Sequence, residues 1–332
     1  MDVQTEAPVT RRANITSPRA LSIRSTLIAS IKHRLAQPCL IILTIITTTV
    51  TGTVFSFLQH NQNTSPGSLR ELFTATFSDI RQGNSRTLFD GLIFSLVLLT
   101  ILAAHELGHY FACKHYKVEV TTPYFLPAPP GPFTPFGTFG AVIRIKSPIL
   151  SKKALFDIGL AGPLAGFFVA LPAAFIGLLT ATQAATPPAG SYQYSDPLLF
   201  ILISKTFGIP KVIEWNPVYW AAWAGFLITS LNLFPFGQLD GGHVLFSVVG
   251  QRAHRYISRV VLGLSAILLI LEFYFYGQAN WLFWVALLYI LSKLEHPTIP
   301  DDQPIGCART VAAVAALIIF ALSFMPFPVT VT

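Results

Sequence analysis

The chain has 332 residues, of which 52% are apolar and only 11% are charged, and its formal net charge is +7. Soluble domains typically contain about 25% charged residues, so this composition argues against a soluble enzyme, a disordered chain and a nucleic-acid-binding protein. The three cysteines lack the paired spacing of disulfide frameworks and thiolate metal sites. We therefore predict a protein that is embedded in a lipid bilayer and has no nucleic-acid partner.

Long apolar runs recur along the whole chain. A helix needs about 20 apolar residues to cross the hydrocarbon core of a bilayer. The runs lack the two-residue alternation of a membrane barrel, so they predict helices, which satisfy their own backbone polar groups. The predicted spans are Leu40–Leu58, Leu88–Phe111, Ala154–Ala181, Pro217–Phe236, Tyr256–Tyr276 and Cys307–Phe327, with a shorter seventh at Ala279–Leu294. The predicted fold is an all-α polytopic membrane protein with about six to seven transmembrane helices.

The placement of lysine and arginine predicts the orientation of these spans. With a cytosolic N-terminus, 17 of the 22 lysines and arginines lie in or beside cytosolic segments. The basic excess is therefore mostly a topology signal. We expect an integral, multi-pass protein of a bacterial inner membrane, with a plastid membrane as the alternative.

Composition divides the chain into five segments. Residues 112–153 contain seven prolines and cannot form one helix, whereas Thr138–Lys146 alternates like a strand. This portion predicts a short β-strand or hairpin on the cytosolic side. The predicted segments are a basic cytosolic tail at 1–37, the first two spans at 38–111, a proline-rich membrane-associated loop at 112–153, core spans at 154–250 and C-terminal spans at 251–332.

The second predicted span contains the sequence HELGH at 105–109. Ionisable residues within a membrane helix are energetically costly, so they are candidates for a functional role. Residues four apart lie on one face of a helix, and the imidazoles of His105 and His109 could therefore bind one Zn²⁺. Glu106 lies beside them and could act as a base on a water molecule at the metal.

A catalytic zinc usually has three protein ligands and one open position, and Asp240 is the best-placed third ligand. His105 lies about 26 Å along its helix from Leu88, and Asp240 lies about 30 Å from Trp220 if that span is helical throughout. Both spans run from outside to inside, so the two side chains reach similar depths toward the cytosolic side.

Asp157 and Glu272 also lie in predicted spans. Asp157 competes for the third ligand position, although a helix cap or an ion pair with Lys152 or Lys153 is the structural reading that we favour. Glu272, near an outer helix end, is expected to reach the membrane interface.

Polar and small residues accompany these candidates. Asn232 could donate a hydrogen bond to the oxyanion of a tetrahedral intermediate or could make an amide contact between helices. His243 could support the site or lie in a solvated loop. The small residues of GPLAG, at 162–166, favour close helix packing.

The three motifs HELGH (105–109), GPLAG (162–166) and NLFPFGQLDGGH (232–243) resemble those of the site-2 protease family, which consists of intramembrane zinc metalloproteases. The resemblance covers roughly residues 88–250. It implies a three-helix catalytic core in which His105, His109 and Asp240 hold zinc and Glu106 is the general base. Many members of the family have Asn where this chain has Gly166, and the PDZ module of several relatives is absent from this sequence.

The predicted function is hydrolysis of peptide bonds within or near transmembrane helices of membrane proteins, in regulated intramembrane proteolysis. The expected partners are single-span or other membrane-protein substrates and the lipid bilayer; the oligomeric state is not predicted. The strand within Thr138–Lys146 could pair with an unwound substrate. Two alternatives stay open: a metal or proton transporter that uses His105, His109 and Asp240, and a catalytically silent scaffold for membrane helices.

Overall fold

The computed structural model describes residues 18–61, 68–131, 136–183, 192–209, 216–294, 299–300 and 303–331, with side chains of the first helix from Ala36 onward. Over these residues the chain is mostly helical and has four short strands. The helices are α1 (Pro18–His60), α2 (Leu69–Arg81), α3 (Arg86–His115), α4 (Lys152–Leu179), α5 (Leu198–Phe207), α6 (Pro217–Asn232), α7 (Asp240–Tyr276), α8 (Trp281–Leu291) and α9 (Cys307–Ser323). The strands are β1 (Tyr124–Pro127), β2 (Thr138–Val142), β3 (Tyr192–Tyr194) and β4 (Val329–Val331).

Four described helices are long and apolar enough to cross a membrane, by length and composition: Ala36–His60 within α1, and α3, α4 and α7. The prediction of six to seven spans is therefore confirmed only in its coarser form, a mostly helical protein with several candidate spans. Helix α8 has 11 residues and is about 16 Å long, which is too short to cross the hydrocarbon core. A crossing over the longer predicted segment Ala279–Leu294 therefore stays a prediction.

Helix α1 extends upstream of the predicted first span. Its helical backbone begins at Pro18 and continues through Pro38 to His60. The predicted tail therefore has helical backbone over its second half, whereas residues 1–17 lie outside the described residues.

The predicted span Pro217–Phe236 ends earlier than its hydropathy suggests. Helix α6 ends at Asn232, and α7 begins at Asp240. Proline lacks a backbone donor and disfavours helical geometry at the residue before it, so Pro235 prevents continuation of α6. Gly237 has a φ of 53°, which a glycine adopts without strain. The assumption of one helix from Trp220 to Asp240 is therefore wrong: Asp240 lies in the first turn of the next helix.

Helix α7 consists of two halves. Gly250 has φ 77° and ψ 174° and interrupts the helix with a kink. The predicted span Tyr256–Tyr276 corresponds to the second half, and Asp240 lies at the start of the first. Asp240 therefore lies on a short helical segment, residues 240–249, that is separate from the second half of α7.

Strands β1 and β2 form an antiparallel hairpin, with Tyr124 opposite Val142 and Phe125 opposite Ala141. One end of this hairpin lies near the start of the first span, where the Gln37 side chain donates to the Pro123 carbonyl (2.8 Å). Its far end reaches deep among the helices: a Cβ added at Gly137 would lie 2.4 Å from Thr51 Oγ1, near the middle of the candidate span Ala36–His60. The hairpin is thus not confined to the cytosolic side. Its paired strands and close contacts supply backbone partners that lipid cannot.

The main core lies where α3, α4, α5 and α6 meet, around buried Phe94, Trp223 and Phe226. A second sheet, absent from the sequence prediction, pairs β3 antiparallel with β4. It joins the segment after α4 to the segment after α9, and both were predicted outside the cytosol. The far end of the β1–β2 hairpin approaches this second sheet, because Phe136, Tyr194 and Val329 line one pocket.

Candidate metal centre

Helix α3 presents His105 and His109 on one buried face, with 5% and 7% of their surfaces exposed. Their Nε2 atoms lie 3.1 Å apart. The Oδ2 atom of Asp240 lies 3.3 Å from His105 Nε2 and 3.2 Å from His109 Nε2. The structure therefore brings one donor atom from each of these side chains to the corners of a nearly equilateral triangle.

The glycines that follow Asp240 allow α7 to begin at this position. A Cβ added at Gly241 would lie 2.0 Å from the carbonyl oxygen of Leu233. One added at Gly242 would lie 2.4 Å from the carbonyl oxygen of Gly237. The first turn of α7 therefore packs directly on the backbone that follows α6, and this contact directs Asp240 toward α3.

The spacing of the three donor atoms fits a zinc ion. Zinc bonds to imidazole nitrogen and carboxylate oxygen are about 2.0–2.2 Å long, and tetrahedral geometry then separates neighbouring ligand atoms by about 3.3 Å. The observed separations are 3.1–3.3 Å. Two imidazoles and one carboxylate also form a ligand set typical of catalytic zinc, with a fourth position left open.

The backbone of α4 orients His109. The Ile158 carbonyl lies 2.7 Å from His109 Nδ1, and a proton on Nδ1 leaves Nε2 free to bind a metal. Gly162 makes room for the ring, because a Cβ at this position would lie 2.1 Å from His109 Nε2. Four residues further on, a Cβ added at Gly166 would lie 3.3 Å from that of His105. The glycines of GPLAG therefore accommodate the two imidazoles.

Glu106 lies next to the triangle but belongs to no metal-binding group with it. The residue is 7% exposed, and the backbone N–H of Ile143, directly after β2, faces its carboxylate. The hairpin thus meets α3 at the residue predicted to be the base. This geometry leaves Glu106 available for proton transfer beside the donor triangle.

Asn232 ends α6 at the same place. Its Nδ2 atom lies 3.5 Å from His105 Nε2, so the amide is a neighbour of the donor triangle. This position is compatible with both roles that the sequence suggests for Asn232, an oxyanion donor and an interhelical contact.

The structure corrects three assignments made for nearby residues. Asp157 is paired with Arg309 of α9, not with Lys152 or Lys153: Arg309 Nη2 lies 2.7 Å from Asp157 Oδ2. Glu272 does not reach the interface. It is fully buried and accepts hydrogen bonds from the Trp281 backbone N–H and the Asn280 side chain (both 2.9 Å).

His243 is the third correction. It lies within the first turn of α7 and not in a solvated loop, because its backbone N–H donates to the Leu239 carbonyl (2.9 Å). A Cβ added at Gly159 would lie 3.0 Å from the His243 Cβ. His243 therefore packs against α4, one helical turn from Asp240.

Sequence reasoning missed the backbone groups of the site. The Ile158 carbonyl and the Ile143 N–H are backbone groups, so the identity of the side chain at these positions does not indicate their role. A signal for Gly162 was present, because HELGH and GPLAG lie on antiparallel neighbouring spans, and the first has two histidines four residues apart where the second has two glycines four residues apart. Reading the two motifs together would have placed each glycine opposite one histidine.

Comparison with known proteins identifies relatives for most of this region. The chain is 31% identical over 269 residues to the protein named "Probable zinc metalloprotease EGY2, chloroplastic" of Arabidopsis thaliana, covering 75% of this chain and 44% of the relative. It is 30% identical over 246 residues to "Probable zinc metalloprotease EGY1, chloroplastic" of Oryza sativa subsp. japonica, covering 69% and 39%. The chain thus spans less than half the length of these curated relatives.

One solved structure, "Site-2 Protease from Methanocaldococcus jannaschii", aligns with 64% of this chain and 82% of that chain at 17% identity and a TM-score of 0.36. The sequence model of the family described as "Peptidase family M50" matches residues 93–271. That match confirms the resemblance drawn from the three motifs, and it covers more than half of the sequence, including every residue of the donor triangle. The chain therefore belongs to peptidase family M50.

Proposed function

We propose that this chain is an intramembrane zinc metalloprotease that hydrolyses peptide bonds within or near transmembrane helices of membrane proteins. The observation that carries this proposal is the buried donor triangle of His105, His109 and Asp240, with Glu106 beside it. Family membership supports it, and so do the names of the relatives, which describe them as probable zinc metalloproteases.

His105, His109 and Asp240 would hold the zinc ion through Nε2, Nε2 and Oδ2. When bound, zinc supplies a Lewis acid for water and for the scissile carbonyl. Glu106 accepts the proton of the attacking water and then delivers it to the leaving amine. The backbone N–H of Ile143 orients the Glu106 carboxylate for this transfer.

Asn232 would contribute to the same step from its position next to His105. Its amide N–H donates a hydrogen bond to the oxygen that becomes negatively charged as water attacks. A fixed donor of this kind stabilises the transition state more than the bound substrate. The position of Nδ2, 3.5 Å from His105 Nε2, supports this role.

The hairpin would bind the substrate as an extended segment. A helix must unwind before its peptide bonds become accessible, and an unwound segment needs partners for its backbone groups. Strand β2 pairs with β1 along one edge. The N–H of Ile143 points to Glu106, so the other edge of this chain segment faces the base. We propose that the substrate adds a strand to this edge.

The protein would act in a membrane, as the candidate spans support. We expected a bacterial inner membrane first and a plastid membrane as the alternative, and the chloroplastic names of the relatives lend support to the alternative. The active site lies toward the predicted cytosolic side of the spans.

The test is cleavage of a model single-span protein by the purified full chain in liposomes. Wild type, Glu106→Gln and wild type with a zinc chelator are compared, and zinc content is measured for each. We expect cleavage by wild type, no cleavage after chelation, and no cleavage by Glu106→Gln at normal zinc content.

The same liposomes separate the rival functions. Zinc or proton flux across the membrane without cleavage would replace the protease with a transporter. Normal cleavage by Glu106→Gln would refute the assignment of the base.

A further inference from the structure

Three side chains from three helices meet at the cytosolic end of the core. Arg309 of α9 binds Asp157 of α4 through two parallel hydrogen bonds, from Nε to Oδ1 (2.9 Å) and from Nη2 to Oδ2 (2.7 Å). Tyr116, directly after α3, donates its hydroxyl to Asp157 Oδ2 and accepts from Arg309 Nη2 (3.2 Å). We refer to these three residues as the cytosolic clamp.

The clamp lies directly beside the backbone group that orients a metal-binding imidazole. Asp157 immediately precedes Ile158, whose carbonyl lies 2.7 Å from His109 Nδ1. Tyr116 follows His109 by seven residues, or about two helical turns. Helices α3 and α4 are therefore linked twice in succession, through His109–Ile158 and through Tyr116–Asp157. A slip or rotation of α4 at the second link would move the Ile158 carbonyl at the first.

The chemistry of the clamp suits a positioning function. A bidentate arginine–carboxylate pair fixes the orientation of both partners as well as their distance. Burial and the hydrogen bond to Asp157 raise the pKa of Tyr116, so its hydroxyl keeps the proton that it donates. The side chains of Asp157 and Arg309 are only 31% and 30% exposed, which reduces screening by solvent.

We propose that Arg309, through Asp157 and Tyr116, positions the Ile158 carbonyl and thereby sets the orientation of His109 in the zinc site. Arg309 is a positioning residue and contacts neither substrate nor metal. Arg309 lies outside residues 93–271, which match the family model, whereas Tyr116 and Asp157 lie within them. The inference rests on the proposed zinc site.

The experiment measures metal binding by the purified full chain in detergent, independently of proteolysis. The variants are Arg309→Gln, Arg309→Lys, Asp157→Asn and the double variant Asp157→Asn/Arg309→Gln. Arg252→Gln is the matched control, because it removes an exposed positive charge from α7 away from the clamp. The readouts are the rate of zinc release to a chelator and the visible absorption spectrum of the Co²⁺-substituted protein, which reports ligand geometry.

We expect Arg309→Gln to release zinc about 10-fold to 100-fold faster, the range typical for loss of a group that orients a metal ligand, and to alter the Co²⁺ spectrum. Arg309→Lys retains the positive charge but loses the two parallel hydrogen bonds of the guanidinium group. It should therefore show a smaller change of the same kind. The double variant should release zinc no faster than the stronger of the two single variants, because each of the three variants breaks the same cytosolic clamp. Arg252→Gln should behave as wild type.

Zinc release and a Co²⁺ spectrum equal to wild type in Arg309→Gln and Arg309→Lys would overturn the proposal. A lower unfolding temperature with an unchanged spectrum would do the same, because it would reduce the clamp to a purely structural contact. Failure of the wild-type chain to bind zinc would instead refute the proposed function, so the two failures are distinguishable.

Discussion

The imidazole of His109 occupies the space that a side chain at Gly162 would need. A Cβ at that position would lie 2.1 Å from His109 Nε2, 2.4 Å from Cδ2 and 2.5 Å from Cε1 of the same ring. The His109 ring cannot move aside at low energetic cost, because the Ile158 carbonyl also holds it in place. The glycine is therefore required by the metal centre itself and not only by helix packing.

Substitution of Gly162 by alanine should abolish zinc binding. The added methyl group must displace the His109 ring and break the triangle of donor atoms. The measurement is zinc content of the purified protein after dialysis against a weak chelator. Gly263→Ala is the control, since nothing lies within 4 Å of a Cβ added there, and alanine is favoured over glycine within a helix. Full zinc occupancy in Gly162→Ala would contradict the geometry described above.

Substitution of Asn232 by alanine should lower kcat by about 100-fold to 1,000-fold, the usual effect of removing one oxyanion donor. KM and zinc content should change little, because the proposed hydrogen bond from the amide forms in the transition state. Steady-state cleavage of the model substrate measures both constants. Ser230→Ala serves as the control, because the Ser230 hydroxyl donates to the Leu227 carbonyl of its own helix (2.8 Å). A loss of zinc with unchanged kcat per bound zinc would assign Asn232 to packing instead.

Proline at Ala141 should reduce substrate turnover at least 10-fold without loss of zinc. Alternate residues of a strand direct their N–H groups to opposite edges, so Ala141 shares the edge of Ile143 that we assign to the substrate. Ala141→Val retains the N–H and is the matched control. Proline at Arg144 would instead break the bond from its N–H to Thr121 Oγ1 (2.9 Å), which lies beyond the paired strands. Equal turnover by the proline and valine variants would exclude pairing at this edge.

Removal of zinc should destabilise the folded protein. Binding to the native state alone contributes about 2.7 kcal/mol when free zinc is 100 times its Kd. A chelator should therefore lower the thermal unfolding temperature of wild type, and added zinc should restore it. His105→Ala should unfold at the same temperature with and without the chelator. An equal response of both proteins to the chelator would indicate that the metal binds elsewhere.

Local sequence patterns predicted the chemistry of the site better than its backbone. His105 and His109 share one helical turn, so their proximity follows from the periodicity of α3 alone. Asp240 was placed by depth along an assumed continuous helix. It does meet the histidines, but it does so from the start of α7, because Pro235 and Gly237 interrupt the chain first.

Long-range partners were beyond the reach of sequence patterns. Asp157 pairs with Arg309, 152 positions away, although two lysines are far closer in sequence. Glu272 is buried because Asn280 and the Trp281 backbone satisfy its carboxylate, and hydropathy does not record hydrogen bonds. Such pairings depend on how the helices are arranged, whereas periodicity reports only the individual helix.

The pairing of β3 with β4 has a consequence for biosynthesis. Tyr192–Tyr194 and Val329–Val331 are more than a hundred residues apart, and contacts between such distant segments form late, after the intervening chain is ordered. During translation, β3 cannot pair until β4 has been synthesised, after the segments from α5 through α9. Assembly of this small sheet therefore has to follow synthesis of every described helix after α4.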